Sequence, residues 1–483
     1  MVGLACIGLV IGICPNFVAS ANSAQTWWRG TDSTGTIMPE KDSPIVVERE
    51  RLIFDIKEFP LGYYSNPEEY LSYGGKVTAE YTFYNSSGYE VTAKLLFPFG
   101  RTPMYAPNIY DEEKNSYRDV DDTVNYNITV NGEVIEKKLR HSFSFGTEFE
   151  LEKDLANLAD GYVEDEFYTP ELPVTKYSYR IDGVDTETYS AATVAFDMKD
   201  QSDRTKVYFP EMCGYDGTMG EKARLSTWVK NGETLTIYVI GEALQEEILW
   251  KFYEDGGTED KEEIKGSAEL LSKETLTFED VCMLGYDKES NIMPTDWYNA
   301  RVQSFNKTEA PCGVLSDMEM SVPDYLTNYL MRWYEYEITL APGEKVVNTV
   351  TAPMYPTIDG DWEPAVFQYT YLLSPAKTWK EFGPLEILIQ TPFYMTESTT
   401  EGWEKTENGY RKYEEGLLEG ELEFTLCSEE NPKIPEFYPL KAANPVSKER
   451  IIGLAVIGGC VVLLGVATVV ICKLRAGNRK KQE

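Results

Sequence analysis

The chain has 483 residues, and its 80 Asp and Glu against 45 Lys and Arg give a net charge of −35. A surface this acidic repels polyanions, so binding to nucleic acid, or to anionic lipid by charge alone, is disfavoured. The 33 Tyr, 20 Phe and 9 Trp argue against a disordered chain, because they supply apolar area for a folded core. Solvation of an exported protein is the favoured explanation of the acidity.

Two apolar segments bracket the sequence. Residues 1–21 are mostly apolar and end in Ala19-Ser20-Ala21, a pattern that predicts a cleaved signal peptide. No basic residue precedes the apolar run, so an uncleaved anchor is the alternative. Residues 451–472 carry no charge, which predicts a transmembrane helix. The basic tail 473–483 has a charge of +4 and should stay cytoplasmic, which leaves −39 for the rest of the chain.

The part between these segments is longer than one core usually takes, so it predicts more than one domain. Residues 22–44 are polar and indicate a flexible lead. The density of prolines in 428–450 predicts an extended stalk. Between them we expect two β-rich domains, the second with helical insertions, at 45–215 and 216–427.

Alternating apolar residues predict the strands. Val77 to Phe83 has period two, residues 85–88 are turn-like, and the alternation returns from Tyr89 to Phe97, which predicts a β-hairpin. A second hairpin is predicted from Asn125 to Lys137 around Asn131-Gly132, the preferred pair for a type I′ turn. A third surrounds Asn231-Gly232. Helical spacing predicts short helices over 242–254, 295–305 and 324–334.

After Pro323 the strand pattern resumes at 338–340, 345–347, 367–373 and 385–389. Repeated reversals with polar turns are typical of antiparallel sheets that pack face to face. The predicted fold class is therefore mainly β: an antiparallel β-sandwich-type ectodomain with a few short helices, plus one C-terminal transmembrane helix.

Two stretches resemble a family of uncharacterised exported bacterial proteins. One is the alternating strand pair from Val77 that ends in Leu96-Phe97-Pro98. The other is Tyr371-Leu-Leu-Ser-Pro-Ala-Lys-Thr-Trp379, followed by Gly383-Pro384 and the strand Leu385 to Ile389. The whole plan is also similar to membrane-anchored surface proteins of Gram-positive, often gut-dwelling, bacteria. The resemblance implies an extracytoplasmic β-rich domain and supplies no activity, ligand or catalytic residue.

Few residues are candidates for catalysis. His141 is the only histidine, and it lies in a strand-like stretch without a nucleophile motif, so an ordinary strand histidine is the simpler interpretation. A lone histidine also disfavours a catalytic zinc site. Paired carboxylates could serve a glycosidase. With 80 acidic residues, however, such pairs carry no specific signal.

Calcium is the one cofactor for which the sequence offers candidate ligands. Acidic, turn-like stretches hold Asp119, Asp121 and Asp122, and also Asp359 and Asp361. Calcium takes six to eight oxygen ligands, and neither stretch matches an EF-hand loop. The alternative is two solvated acidic loops.

Tryptophans are the candidates for glycan binding. Trp362 and Trp379, with Trp27 and Trp28 near the start of the mature chain, could stack on sugar rings; core packing is the alternative for each. Cysteines suggest at most one disulfide, with Cys282–Cys312 the favoured pair among three possible pairings of the four ectodomain cysteines.

These observations predict a single-pass cell-membrane protein with its N-terminal part outside the cell. The expected role is binding, adhesion or envelope scaffolding, with a glycan or protein partner and no nucleic acid. The alternative is a membrane-tethered extracytoplasmic hydrolase that uses carboxylates.

Overall fold

The computed structural model describes residues 27–31, 33–34, 36–39, 42–111, 116–144, 155, 158–184, 190–196, 203–212, 214–216, 223–245, 248–254, 262–310, 313–315, 326–327 and 329–435. The predicted signal peptide, transmembrane helix, basic tail and most of the predicted stalk lie outside these ranges. Within them, no helix is both long enough and apolar enough to span a membrane.

In the first part of the chain, the described residues form ten strands and one short α-helix. The strands are β1 (Trp27–Trp28), β2 (Ser33–Thr34), β3 (Ile45–Asp55), β4 (Lys76–Asn85), β5 (Val91–Gly100), β6 (Asn108–Asp111), β7 (Ser116–Asp119), β8 (Asn127–Val130), β9 (Glu133–Val134) and β10 (Lys138–Phe143). Helix α1 (Pro67–Leu71) separates β3 from β4, and a 3-10 turn (Thr123–Asn125) precedes β8.

In the middle part, the described residues form the next ten strands and two α-helices. The strands are β11 (Pro173–Asp182), β12 (Ser190–Phe196), β13 (Thr205–Tyr208), β14 (Gly214–Asp216), β15 (Ala223–Val229), β16 (Thr234–Gly241), β17 (Leu249–Glu254), β18 (Glu263–Ile264), β19 (Ser267–Thr277) and β20 (Val314–Leu315). Between β19 and β20 lie α2 (Phe278–Cys282) and α3 (Pro294–Thr308).

The last part returns to strands. They are β21 (Leu330–Leu340), β22 (Lys345–Pro353), β23 (Thr357–Asp359), β24 (Val366–Leu372), β25 (Leu385–Gln390), β26 (Tyr394–Ser398), β27 (Glu404–Thr406), β28 (Gly409–Glu414) and β29 (Leu422–Cys427). A 3-10 turn (Ser374–Thr378) follows β24. The prediction of a mainly β fold with several antiparallel sheets and few helices is confirmed for the described residues.

Strands from both ends of the chain build what we call the first module. An eight-stranded sheet has the order β27-β28-β25-β3-β4-β22-β8-β9. Facing it across one core are a sheet ordered β1-β23-β24-β29-β26, with β2 beside β24, and a sheet ordered β10-β21-β5. Phe54 of the first sheet reaches Tyr371 and Phe424 of the second, at ring-centroid distances of 5.8 and 5.1 Å.

The middle of the chain forms an inserted module. Two five-stranded sheets, β19-β11-β16-β13-β20 and β14-β15-β12-β17-β18, enclose a second core that includes Ile181, Leu225 and Phe252. The other face of the sheet that contains β16 packs on α2 and α3. Helix α2 begins with a capping box, in which Thr277 and Asp280 satisfy each other's backbone N–H groups.

The chain leaves the first module after β10, forms the inserted module and returns to the first module at β21. Strands β10 and β21 pair antiparallel, over Lys138 to Phe143 of β10. The predicted division at 215/216 does not coincide with this arrangement. Strand β25, from the second predicted domain, pairs in parallel with β3 from the first, and β22 pairs with β4. In the described residues it is the middle of the chain, between β10 and β21, that is inserted into the first module, which a linear pass along the sequence does not reveal.

A buried ionic cluster joins the modules; we call it the arginine clamp, formed by Arg140, Asp296 and Glu335. Arg140 on β10 donates from Nη2 to Asp296 Oδ1 at 2.9 Å and from Nη1 to Glu335 Oε2 at 2.7 Å. Asp296 lies in the first turn of α3 and also accepts the backbone N–H of His141 at 2.8 Å. Because Arg140 and Asp296 are both 0% exposed, neither can be left unpaired cheaply.

Four predicted elements differ from the structure in their partners or type. The strands predicted around 85–88 are β4 and β5, but they pair in different sheets, and so do β15 and β16 on either side of Asn231-Gly232. The predicted helix over 242–254 contains strand β17, which pairs with β12, and the one over 324–334 contains the start of β21. Helix α3 and the β8–β9 hairpin confirm the other two predictions.

The segment predicted as a flexible lead packs into the first module where it is described. Ile37 and Leu96 exchange two backbone hydrogen bonds, of 2.7 and 3.1 Å. Thr34, Thr36 and Ile37 are each 0% exposed. Polar composition was a poor guide here, because threonine fits a strand as well as a loop.

Candidate binding site in the first module

Six buried tyrosines gather in the first module and form what we call the tyrosine cluster: Tyr64, Tyr70, Tyr73, Tyr105, Tyr355 and Tyr369. Helix α1 contributes Tyr70, with Tyr64 and Tyr73 on either side of it. Asn66 caps this short helix by accepting the Glu68 N–H at 2.8 Å, and Pro67 opens it, so the chain turns sharply enough to direct all three rings inward. Each ring is at most 8% exposed.

The rings pack on one another with Tyr355 at the centre. Tyr70 stacks on Tyr355 with centroids 5.2 Å apart and planes 10° apart. Tyr73 lies 5.7 Å and Tyr105 6.3 Å from the same ring. Aromatic contacts at these distances fix the rings and therefore the positions of their hydroxyl groups.

Some hydroxyl groups of the cluster have hydrogen-bond partners in the protein and others do not. Tyr105 donates to the Pro356 carbonyl at 2.8 Å, and Tyr70 donates to Asp122 Oδ2 at 3.4 Å. The hydroxyls of Tyr73, Tyr355 and Tyr369 have no hydrogen-bond partner. The hydroxyls of Tyr73 and Tyr369, and those of Tyr70 and Tyr355, lie close enough together for a hydrogen bond within each pair to shift the phenol pKa values, although no bond of ordinary geometry joins them.

Burial is the main reason that the phenol pKa values in the cluster lie above their ordinary value. For Tyr105 the pKa is raised further by Tyr73, Tyr355 and Tyr64, and for Tyr369 by Tyr73 and Tyr105. Tyr73 and Tyr105 pack on the Tyr355 ring at 5.7 and 6.3 Å, and the mutual effects indicate that the Tyr369 hydroxyl lies near those of Tyr73 and Tyr105. All of them are neutral at physiological pH, so the region offers polar groups without charge.

An ion pair borders the cluster. Arg332 Nη1 contacts Asp122 Oδ1 at 2.5 Å, Arg332 Nε donates to the Gly100 carbonyl at 3.2 Å, and the guanidinium lies 4.8 Å from the centre of the Phe99 ring. Burial lowers the pKa of Arg332, but Asp122, Tyr126 and Tyr70 together outweigh this effect and the net shift is upward. The remaining nitrogen, Arg332 Nη2, has no hydrogen-bond partner.

His141 lies opposite Arg332 in the β10–β21 pair and is 4% exposed. Burial, with repulsion from Arg332 and Arg140, lowers the pKa of His141 to about 3. The ring is therefore neutral, and its Nδ1 has no hydrogen-bond partner. A base this weak is far from the near-neutral pKa that general-base catalysis uses.

A second buried acid lies elsewhere in the same core. Glu50 on β3 is 1% exposed, and the Tyr371 hydroxyl donates to its Oε1 at 3.5 Å, while Oε2 has no partner. Burial raises the pKa of Glu50 to about 7, although the hydroxyls of Tyr81 and Tyr371 favour the charged form. This carboxyl therefore changes charge near neutral pH.

Of the aspartates predicted as calcium ligands, the neighbours Asp121 and Asp122 lie in different surroundings. Asp122 is buried against Arg332, whereas Asp121 is exposed and accepts the Thr123 N–H at 3.0 Å. The side chain of Asp119 is outside the described residues. Asp359 ends β23, and Asp361 belongs to a separate small unit. In the described ranges no group of three or more His, Cys, Asp or Glu is placed to hold a metal ion. Calcium binding stays a prediction.

The tryptophans predicted to stack on glycans differ in exposure. Trp379 is 5% exposed, stacks on Phe83 at 4.7 Å and donates from Nε1 to the Thr36 carbonyl at 2.9 Å. A sugar could reach it only if the core opened. Trp27 is 48% exposed on β1, and the side chain of Trp28 lies outside the described residues. Trp362 is half-buried in the small unit, where Glu363 pairs with Lys433.

The predicted disulfide between Cys282 and Cys312 stays a prediction, because only Cys282 lies within the described residues. The structure has this residue as a free thiol, 0% exposed in the core between α2 and α3. Burial raises the pKa of the Cys282 thiol well above its ordinary value. Its predicted partner, Cys312, lies outside the described residues. Cys282 behaves as a small apolar core residue.

The comparisons add little to this picture. The chain matches no protein-family model and no curated protein. Among solved structures it is similar to a protein described as a "putative nutrient binding protein" from Legionella pneumophila, at 10% identity and a TM-score of 0.33, over 83% of this chain and 72% of that one. A likeness at this TM-score carries no argument about fold or function.

Sequence reasoning missed the tyrosine cluster. A signal was present, because Tyr63, Tyr64, Tyr70 and Tyr73 fall within eleven positions. Their partners Tyr105, Tyr355 and Tyr369 are distant in sequence, so only the sheet pairing brings them together.

Proposed function

We propose that this protein is a membrane-anchored, extracytoplasmic binding protein with a β-sandwich-type ectodomain, and that the tyrosine cluster is its ligand site. One observation carries the proposal: Tyr73, Tyr355 and Tyr369 present buried hydroxyl groups without partners in a single region. Buried polar groups in folded proteins are nearly always hydrogen-bonded. Three such hydroxyls within one core support an occupant from outside the protein as their partner.

The anchoring part of the proposal depends on the sequence. The uncharged segment 451–472 followed by a basic tail supports a single membrane crossing with the modules outside. A chain that stops at residue 450 should be released into the medium, whereas the full chain stays with the membrane fraction. Retention of the shortened chain in the membrane fraction would contradict the anchor at 451–472.

The binding part is tested by thermal unfolding of the full chain with a panel of neutral and acidic glycans and calcium. A ligand that binds only the folded protein raises its stability, by about 2.7 kcal/mol at a concentration one hundred times Kd. We expect a saturable rise in Tm that is lost in Tyr73→Phe and Tyr369→Phe.

Tyr336→Phe is the matched control. Its hydroxyl lies in the same core but donates to Asn348 Oδ1 at 3.0 Å, so it has a protein partner and lies outside the cluster. This variant should keep the ligand-induced rise. A rise that survives in both cluster variants, or no rise with any ligand, would contradict the tyrosine cluster as the binding site.

The hydrolase alternative has one feature in its favour. A carboxyl group with a pKa of about 7, as at Glu50, has the property that a general acid needs. Glu50 is 1% exposed between the sheets, however, and so has no route to a polysaccharide. The geometry therefore favours binding.

A further inference from the structure

We infer that the tyrosine cluster takes uncharged hydroxyl groups, either of ordered water or of a small polyol. This inference rests on the proposed function for the choice of site, but it specifies the chemistry of the occupant. It begins from three phenol hydroxyls without partners, those of Tyr73, Tyr355 and Tyr369, at 8%, 1% and 0% exposure. Each can both donate and accept one hydrogen bond, as a water or alcohol hydroxyl can.

The local charges are already balanced. Arg332 and Asp122 form an ion pair at the border of the cluster, and Tyr70 donates to the same aspartate. A charged ligand would lose its hydration in this buried region and would find no uncompensated opposite charge there. A neutral hydroxyl group loses less hydration free energy on transfer from water into this region, and hydrogen bonds to the phenols replace those it made to water.

The shape of the site also favours a small occupant. Ring centroids around Tyr355 lie 5.2 to 6.3 Å apart, so the aromatic faces are already packed against one another. A Cβ at Gly75 would lie 2.1 Å from the Tyr73 hydroxyl, so the backbone too approaches this group closely. Polar surroundings with two to four partners are what a buried water requires.

Two arms of one experiment separate the sources of the hydroxyl. The first arm measures the Tm of the full chain without ligand for Tyr73→Phe, Tyr369→Phe and the double variant. If the two hydroxyls share a bound water, each change should lower Tm by about 1–2 °C. The double variant should lose less than the two losses together, because the shared interaction can be lost only once.

The control pair for this arm is Tyr73→Phe with Tyr336→Phe. Since the Tyr336 hydroxyl has its own protein partners, Thr36 and Asn348, the two losses should add. This comparison separates coupling within the cluster from a general loosening of the core.

The second arm measures the change in Tm with glycerol and glucose, against phosphate and glucuronate as charged probes. Polyols stabilise folded proteins in general by exclusion from the surface, so the quantity of interest is the saturable difference between wild type and Tyr73→Phe. A difference with the neutral probes supports both the inference and the proposed function. A difference with the charged probes alone keeps the proposed function and overturns the inference.

The remaining outcomes are also decisive. If no probe gives a difference, the proposed function fails. Non-additive losses in the first arm then leave either ordered water or a direct Tyr73–Tyr369 hydrogen bond as the source of the coupling. An ordered water at these hydroxyls in an experimental structure keeps the inference, and a direct bond between them overturns it. No difference in the second arm, with Tyr→Phe variants that keep or raise Tm, would show that the hydroxyls have no occupant and overturn both. An orphan hydroxyl that is truly empty is better replaced by a ring hydrogen.

Discussion

Glu50→Gln is the substitution with the best-defined expected effect. In the folded protein burial raises the pKa of this carboxyl from 4.5 to about 7. The folded state therefore keeps a proton that the unfolded chain releases between pH 4.5 and 7. The contribution of this carboxyl to the free energy of unfolding is at its maximum below pH 4.5 and decreases as the pH rises from 4.5 to 7. Above pH 7 the free energy of unfolding is about 3 kcal/mol lower than below pH 4.5 on this account.

Glutamine has a similar shape and carries no charge at any pH, so the variant should not show this loss. Relative to wild type, we expect Glu50→Gln to gain about 2 kcal/mol more stability at pH 8 than at pH 5.5. Comparison between pH values cancels the fixed cost of burying an amide in place of a carboxyl. It also cancels the effect of His141, whose pKa of about 3 makes stability fall as the pH decreases below about 6.5 in both proteins.

The assay is urea or thermal unfolding of the full chain at both pH values, followed by a signal from the first module. Glu80→Gln is the control, because Glu80 lies on the neighbouring strand β4 and pairs with Arg49 at the solvent face of the sheet. Its difference from wild type should change little between the two pH values. If Glu50→Gln behaves like Glu80→Gln, Glu50 is not held in a desolvated environment and the described core is wrong at this point.

Three further expectations concern the core and the junction between modules. Arg140→Met should destabilise by about 3–5 kcal/mol in chemical unfolding because it leaves Asp296 buried and unpaired, whereas a loss below 1 kcal/mol would contradict the arginine clamp. Cys282 should not react with an alkylating reagent in the folded chain and should react after unfolding, as mapped by mass spectrometry. Rapid labelling of Cys282 in the folded chain would contradict its burial. Gly383→Ala should lower the free energy of unfolding by about 1–3 kcal/mol, because the new Cβ would lie 2.1 Å from the Glu48 carbonyl oxygen. Gly420→Ala is the control and should change stability little, because the space around Gly420 is open. Equal effects of the two substitutions in chemical unfolding would contradict this packing.

Local pattern was sufficient for strands and turns but not for their partners. Period two predicted β4, and its residues Val77, Ala79, Tyr81 and Phe83 are at most 2% exposed. The turn after it indicated a reversal, yet the chain crosses the core to β5 in another sheet. Asn131-Gly132 was decisive because both residues adopt positive φ, 51° and 85°, as a type I′ turn demands.

The predicted helix over 242–254 shows the limit of apolar spacing. Leu249 and Phe252 fit a helical face, but the same segment finds a complete set of backbone partners in β12, and strand pairing prevails. The calcium candidates show a similar limit for composition. Asp122 was predicted from its acidic neighbours, whereas its actual partner, Arg332, lies 210 positions away. Long-range pairing of this kind leaves no local trace in one sequence.

The most direct test of the central claim is an experimental structure of the protein at a resolution that shows ordered water and small ligands. We expect electron density of a water or small ligand within hydrogen-bond distance of the hydroxyls of Tyr73, Tyr355 and Tyr369. Phenol hydroxyls that are hydrogen-bonded to the protein itself, or a region between them that is empty, would contradict the tyrosine cluster as a binding site.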